Sequence, residues 1–122
     1  MAYQFTVAAT ETYIHAIGTG DNTAENVGRF LLDAYRAALA LKCDSVLLEL
    51  NFSGESLSVG SIYAVIAERS SDGTQLRRIA YVDANSEHVP ERSEFAELAA
   101  NKLGVNVRRF RDIAGARSWL QE

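Results

Sequence analysis

His15 and His88 are the only histidines in the chain, and so the first residues to weigh for acid–base or metal chemistry. His88 stands in a polar run with Ser86 and Glu87, a few residues after Asp83. Nearness in sequence does not make these a catalytic triad, because triad members converge from separate elements. His15 lies between Tyr13 and Ile17 in a strand-like stretch, where a half-buried, hydrogen-bonded imidazole is the simpler role. Two histidines with neither helical nor alternating spacing make poor metal ligands. The single cysteine, Cys43, excludes an internal disulfide and a cysteine-based zinc site, and reads as a small hydrophobe. Gly18-Thr19-Gly20 invites a dinucleotide reading, but Thr23 stands where the third glycine belongs. Asp21 would also put a carboxylate where a pyrophosphate must lie, so the segment reads as a glycine-bearing turn. No catalytic residue, metal or cofactor is expected.

Two constellations remain. The first is a serine-rich stretch after a buried strand, with Asn51, Phe52, Ser53, Glu55, Ser56, Ser58, Ser61 and Tyr63 as candidate partner-binding residues. The plainer reading is turn chemistry plus capping, which explains Ser58 fully. The functional reading is a docking or phosphorylation surface at a helix N-terminus, where added negative charge is favoured by the dipole. The second is Arg77, Arg78, Arg108, Arg109 and Arg111, on two strands expected to be neighbours. They would form a basic rim for an acidic partner or a phosphate, against the plainer reading of solvated arginines paired with surplus carboxylates.

The elements that must position these residues are legible in order. Residues 3–9 alternate weakly and, with a second strand over residues 12–18, suggest an antiparallel hairpin broken at Thr10-Glu11. Asn22, with Glu25 three residues on, suggests a capping box for a first helix. Val27, Phe30, Leu31, Ala34, Ala38 and Leu41 make its apolar stripe. Residues 45–50 form a nearly continuous apolar run, the mark of a strand covered on both faces. Ser58 caps a second helix over residues 58–69, with Leu57 and Ile62 as a hydrophobic staple, and residues 70–73 read as a turn. Ile62, Val65 and Ile66 would face the sheet. A strand over residues 76–82 precedes Pro90, at home in the first turn of a third helix whose apolar face is Phe95, Leu98, Ala99 and Leu103. A strand over residues 105–110 and a helix capped by Asp112 close the chain, with Trp119 in the core. The order is β-β-α-β-α-β-α-β-α in one α/β domain over residues 1–122. Ligands and partners of open α/β sheets meet the carboxyl ends of the strands, which singles out the serine-rich loop.

Composition narrows the function. A net charge of −4, with Lys42 and Lys102 the only lysines, gives no field favouring nucleic acid or an anionic membrane. No apolar run is long enough to span a bilayer, and residues 1–4 lack the pattern of a signal peptide, so a cytoplasmic protein is expected.

Three stretches resemble the STAS (anti-sigma-factor antagonist) fold, and more closely its SpoIIAA-like branch: residues 18–24 entering the first helix, residues 46–66 as central strand, loop and regulatory helix, and the closing strand with Ala116-Arg117-Ser118-Trp119-Leu120. The resemblance implies a mixed, mostly parallel sheet with an antiparallel first strand and about four helices. It implies a small non-enzymatic regulatory module that binds another protein, with a second copy of the chain among the candidates. The alternative is a carrier or sensor of a small apolar or anionic ligand held between helices and sheet, since the branch is related in shape to lipid-carrying CRAL-TRIO domains. In anti-sigma antagonists the helix after the central strand opens with aspartate-serine-serine-glycine-leucine, and a kinase phosphorylates the second serine. Setting that leucine on Ile62 puts Gly60 at the modified position and Ser58 at the aspartate, so the standard phosphoswitch is not expected.

The acidic balance, and the lack of aromatic residues interleaved with the arginines, also yield a direct expectation. Titration with generic DNA or RNA should show no sub-micromolar, salt-sensitive binding. Such binding would mean that the charge distribution has been misjudged.

Overall fold

Thr10 sets the first reversal. Its hydroxyl oxygen accepts from the backbone N–H of Thr12 and Tyr13 and donates to the Tyr13 carbonyl, a local turn device that lets the flanking segments pair. The structure, a computed structural model, describes residues 2–122. Strand β1 (Gln4–Ala9) is antiparallel to β2 (Ile14–Asp21). There follow α1 (Ala24–Ala40), β3 (Ser45–Ser53), α2 (Val59–Gly73), β4 (Arg78–Asp83), α3 (Pro90–Lys102), β5 (Val107–Phe110) and α4 (Ile113–Leu120). From β2 onward all pairings are parallel, and the spatial order is β1-β2-β3-β4-β5. Crossovers of one hand that step along a sheet in one direction deliver their helices to one face. Helices α1, α2 and α3 share that face, and α4 packs on the other, against β3, β4 and β5.

This two-sided cover explains the unbroken apolar run. Val46, Leu48, Leu50 and Phe52 belong to the core under α1, while Leu47 joins Ala80, Val82, Ala116 and Leu120 under α4. The expected fold class, element order and antiparallel first strand are all present.

Several boundaries differ from expectation, each for a tertiary reason. The cap of α1 is Thr23, whose hydroxyl accepts from the Asn26 N–H at 3.1 Å. Asn22 is drawn off to bond the Glu55 carbonyl at 2.7 Å. Gly18 and Gly20 are not a turn; β2 runs through both to Asp21. A side chain at Gly18 would place its Cβ 2.7 Å from the Phe30 ring and 2.8 Å from the Phe52 ring, so glycine is the space those aromatics occupy. Strand β3 likewise runs on through Asn51, Phe52 and Ser53. The turn-like residues 70–73 are the last turn of α2, with Gly73 packed under Val105. In α3 the inward face is Ser93, Ala96, Ala99 and Ala100, and Leu98 points to solvent at 54% exposure. Leu41 is exposed as well, at the C-cap of α1. Trp119, expected in the core, is half-buried at the edge of the cluster under α4, with the Arg78 guanidinium 5.3 Å and that of Arg108 5.9 Å from its ring centre.

The Gly18 contact gives a sharp test. Gly18→Ala must push Phe30 and Phe52 off their packed positions, so it should cost about 1–3 kcal/mol in denaturant unfolding. A loss under about 0.5 kcal/mol would show that the aromatic pair yields freely.

Candidate functional site

Phe52 ends the buried part of β3. It is 1% exposed, stacked on Tyr3 at 6.5 Å between centroids and edge-on to Phe30 at 5.8 Å. It therefore belongs to the core and not to a docking surface. Its neighbour Asn51, by strand alternation, lies on the opposite face of the sheet and is exposed. Beyond Ser53 the chain leaves the sheet, and its backbone groups find partners on adjacent connections. The Ser53 carbonyl accepts from the Asn22 N–H at 2.7 Å, and that of Phe52 from Asn85 Nδ2 at 2.9 Å. Ser56 Oγ accepts from the Val89 N–H at 2.9 Å, and the Leu57 carbonyl from Arg92 Nε at 3.0 Å. Ser58 caps α2 as expected, accepting from the Ser61 N–H at 3.2 Å and donating to Ser61 Oγ at 3.0 Å. Ser53, Glu55, Ser58 and Tyr63 are exposed, whereas Ser56 and Ser61 are half-buried.

His88 is the centre of this stitching. Its side chain is 7% exposed, with Nδ1 2.8 Å from Asp83 Oδ2, so Nδ1–H donates to the carboxylate. Nε2 lies 2.9 Å from the Gly54 carbonyl and 3.2 Å from Asn85 Nδ2. A neutral ring accepts there from Asn85, and a protonated ring donates to Gly54. The Asp83–His88 pair has the shape of an oriented base, yet among the described residues no serine or cysteine is bonded to Nε2. His15 bonds Glu49 at 2.8 Å on the sheet face shared with α4, apart from these loops.

Behind the stitched loops lies a cavity of about 70 Å³ between the helices and the sheet. Its apolar wall is Val27 and Leu31 of α1, Leu50 and Phe52 of β3, Leu57, and Ile62, Val65 and Ile66 of α2. Tyr81, Asp83, His88, Arg92, Ser93, Ser56 and Asn22 supply the polar edge. A second space of about 40 Å³ adjoins it, sharing Leu31, Ile66, Tyr81 and Ala96, and continues toward Val105 and Val107. Helix α2 leans mainly on α1 and α3; its Val65 is buried with Leu50 and Phe52 as expected, and Ile62 and Ile66 face the sheet across the open space. Burial and the nearby Asp83 charge hold the Tyr81 phenol neutral well above its ordinary range.

The five arginines do not share one rim. Alternation sends Arg78 and Arg108 to the α4 side, where both lie over aromatic rings, and Arg109 to the α3 side, 4.0 Å from Glu94. Arg77 precedes the amino end of β4, and Arg111 follows the carboxyl end of β5. Two cavity residues, Arg92 and Ser93, carry no motif in the sequence, and Asn22 reads there only as a cap. The signal for the first two was the spacing of Ser93, Ala96 and Ala100, a small-residue helix face that fills little volume against a sheet.

Removing His88 should loosen the whole junction. His88→Ala leaves the part-buried Asp83 Oδ2 without its imidazole donor, a loss of about 1–3 kcal/mol. Limited proteolysis should then cut within residues 54–58. Unchanged stability and unchanged protection would show that water replaces the imidazole without penalty.

No protein-family model matches the sequence, and no curated protein matches it. Two solved structures are similar over nearly the whole chain. One is an uncharacterised DUF3478-family protein with a SpoIIAA-like fold from Shewanella loihica PV-4, 19% identical, with a TM-score of 0.57 over 97% of this chain and 93% of that one. The other is the protein TM1081, 18% identical, with a TM-score of 0.53 over 100% of this chain and 92% of that one. At such identities the likeness speaks for architecture alone, and with the strand order and helix placement above it gives one conclusion: this chain has a SpoIIAA-like fold.

Proposed function

We propose that this protein is a non-enzymatic, cytoplasmic regulatory module that holds a small ligand beneath α2 and offers the outer surface of α2 to another protein. The cavity between helices and sheet carries this reading, because it is apolar, edged by a few polar groups, and set at the carboxyl ends of the parallel strands. The ligand alternative thus gains ground over contact by the loop alone. Support for the outer surface comes from Val59 and Tyr63, 42% and 49% exposed on α2, with open space above Gly60. Regulation without a serine phosphoswitch fits Gly60 at the aligned position and the engagement of Ser58 and Ser61 in capping.

Native mass spectrometry of the protein taken from its own cells tests the proposal. The wild-type chain should carry a non-covalent small-molecule adduct. Ile66→Trp, which fills the cavity, should lose it while keeping its far-ultraviolet dichroism. A bare wild-type protein, with Ile66→Trp at least as stable and equally able to bind a partner, would overturn the ligand part. Phosphate on Ser58 or Ser61 in the intact mass, with partner binding lost in Ser58→Asp or Ser61→Asp, would overturn the absence of a phosphoswitch.

A further inference from the structure

The charged and titratable side chains at the cavity's polar edge are Asp83, His88, Arg92 and the phenol of Tyr81. Asp83 is satisfied within the protein: His88 Nδ1 lies 2.8 Å from Oδ2, and the Asn85 N–H donates to Oδ1 at 3.0 Å. Tyr81 stays neutral, since burial and Asp83 oppose its ionisation. Arg92 differs from both. Its Nε is spent on the Leu57 carbonyl, and among the described residues no carboxylate lies within ion-pair distance of its guanidinium. Arg69 and Arg109, the other arginines on this side of the sheet with half-buried side chains, each have a glutamate at 3.6 Å and 4.0 Å. A half-buried guanidinium beside an apolar wall, with terminal donors left over, is a fork that matches a carboxylate or a similar anion.

We infer that the cavity takes a short amphipathic anion, with its anionic head on Arg92 and its alkyl tail between Leu31, Ile62 and Ile66. This rests on the ligand reading above and adds the class of ligand. The volume of about 70 Å³, with the adjoining 40 Å³ behind Ile66 and Tyr81, limits the tail. It suits a tail of roughly three to five carbons, about what hexanoate carries, and a long acyl chain would have to lift α2.

The test is an amide chemical-shift titration of the full chain with hexanoate, hexan-1-ol, hexylammonium and acetate. Hexanoate should move the amides of Leu50, Ile62, Ile66 and Ala96 and bind about tenfold tighter than hexanol, the size of one charge-assisted contact. Hexylammonium should bind worst, and acetate, which has the head without the tail, far more weakly than hexanoate. Arg92→Gln should erase the preference for hexanoate while leaving hexanol binding in place. Equal affinity for hexanoate and hexanol, or a preference that survives Arg92→Gln, overturns the anion assignment and leaves the ligand reading standing. Silence of the cavity amides toward all four compounds overturns both. Should Arg92→Gln fail to fold, the charge-retaining Arg92→Lys decides: a kept preference for hexanoate supports the assignment, and a lost one overturns it.

Discussion

Past the end of β3 the backbone has polar groups that neither sheet nor helix can satisfy, and the arrangement of this end of the molecule follows from how they are met. Asn22 reaches over from the β2–α1 connection, and Asn85, His88 and Arg92 reach from the β4–α3 connection and the first turn of α3. The Phe52 and Leu57 carbonyls are met in part-buried positions and those of Gly54 and Glu55 at the solvent edge, so the three connections brace one another. That mutual dependence fixes where α2 begins, orients the His88 ring between Asp83 and Gly54, and brings Arg92 to the cavity wall.

Helix α2 is the least anchored element of its layer. Only Val65 and Gly73 of its residues are buried, against six buried residues in α1. An element with so little apolar surface removed from water is drawn from the low end of the local stability range, where opening without global unfolding is accessible. The residues under it are apolar, so opening exposes surface that water does not favour, and a ligand filling that space would hold the helix closed. A ligand in that space would thus couple the contents below α2 to the shape above it.

The backbone plan was legible because it rests on patterns that are local in sequence. The apolar run at residues 45–50, the stripe of α1 as far as Ala38, the Ser58 cap and Pro90 at the head of α3 each report their own neighbourhood, and each holds in the structure. What failed depended on partners remote along the chain. Gly18 looks like a turn until the rings of Phe30 and Phe52 are placed against it. Leu98 looks like core until Ala96 and Ala100 turn out to be the residues facing the sheet side. The arginines looked like one rim because adjacent strands were foreseen, while the alternation that parts Arg108 from Arg109 was not applied. The cavity was the hardest to foresee, since a space is the absence of side chains and has no residue of its own.

The strand order β1-β2-β3-β4-β5 is also the order of synthesis. Every strand pairs with one already made, and none has to be threaded between two that have closed. Parallel sheets are slow to form when distant segments must meet before any contact rewards them, but here each loop to be closed spans a single crossover. A nascent chain can start from the β1–β2 hairpin and extend its sheet one β-α unit at a time. Until α4 emerges, however, Leu47, Ala80 and Val82 stay bare on the far side. Residues 113–120 are thus the ones that cover the growing sheet's exposed apolar face, and a chain cut short before them would present to the cell a stack of paired strands with one face uncovered.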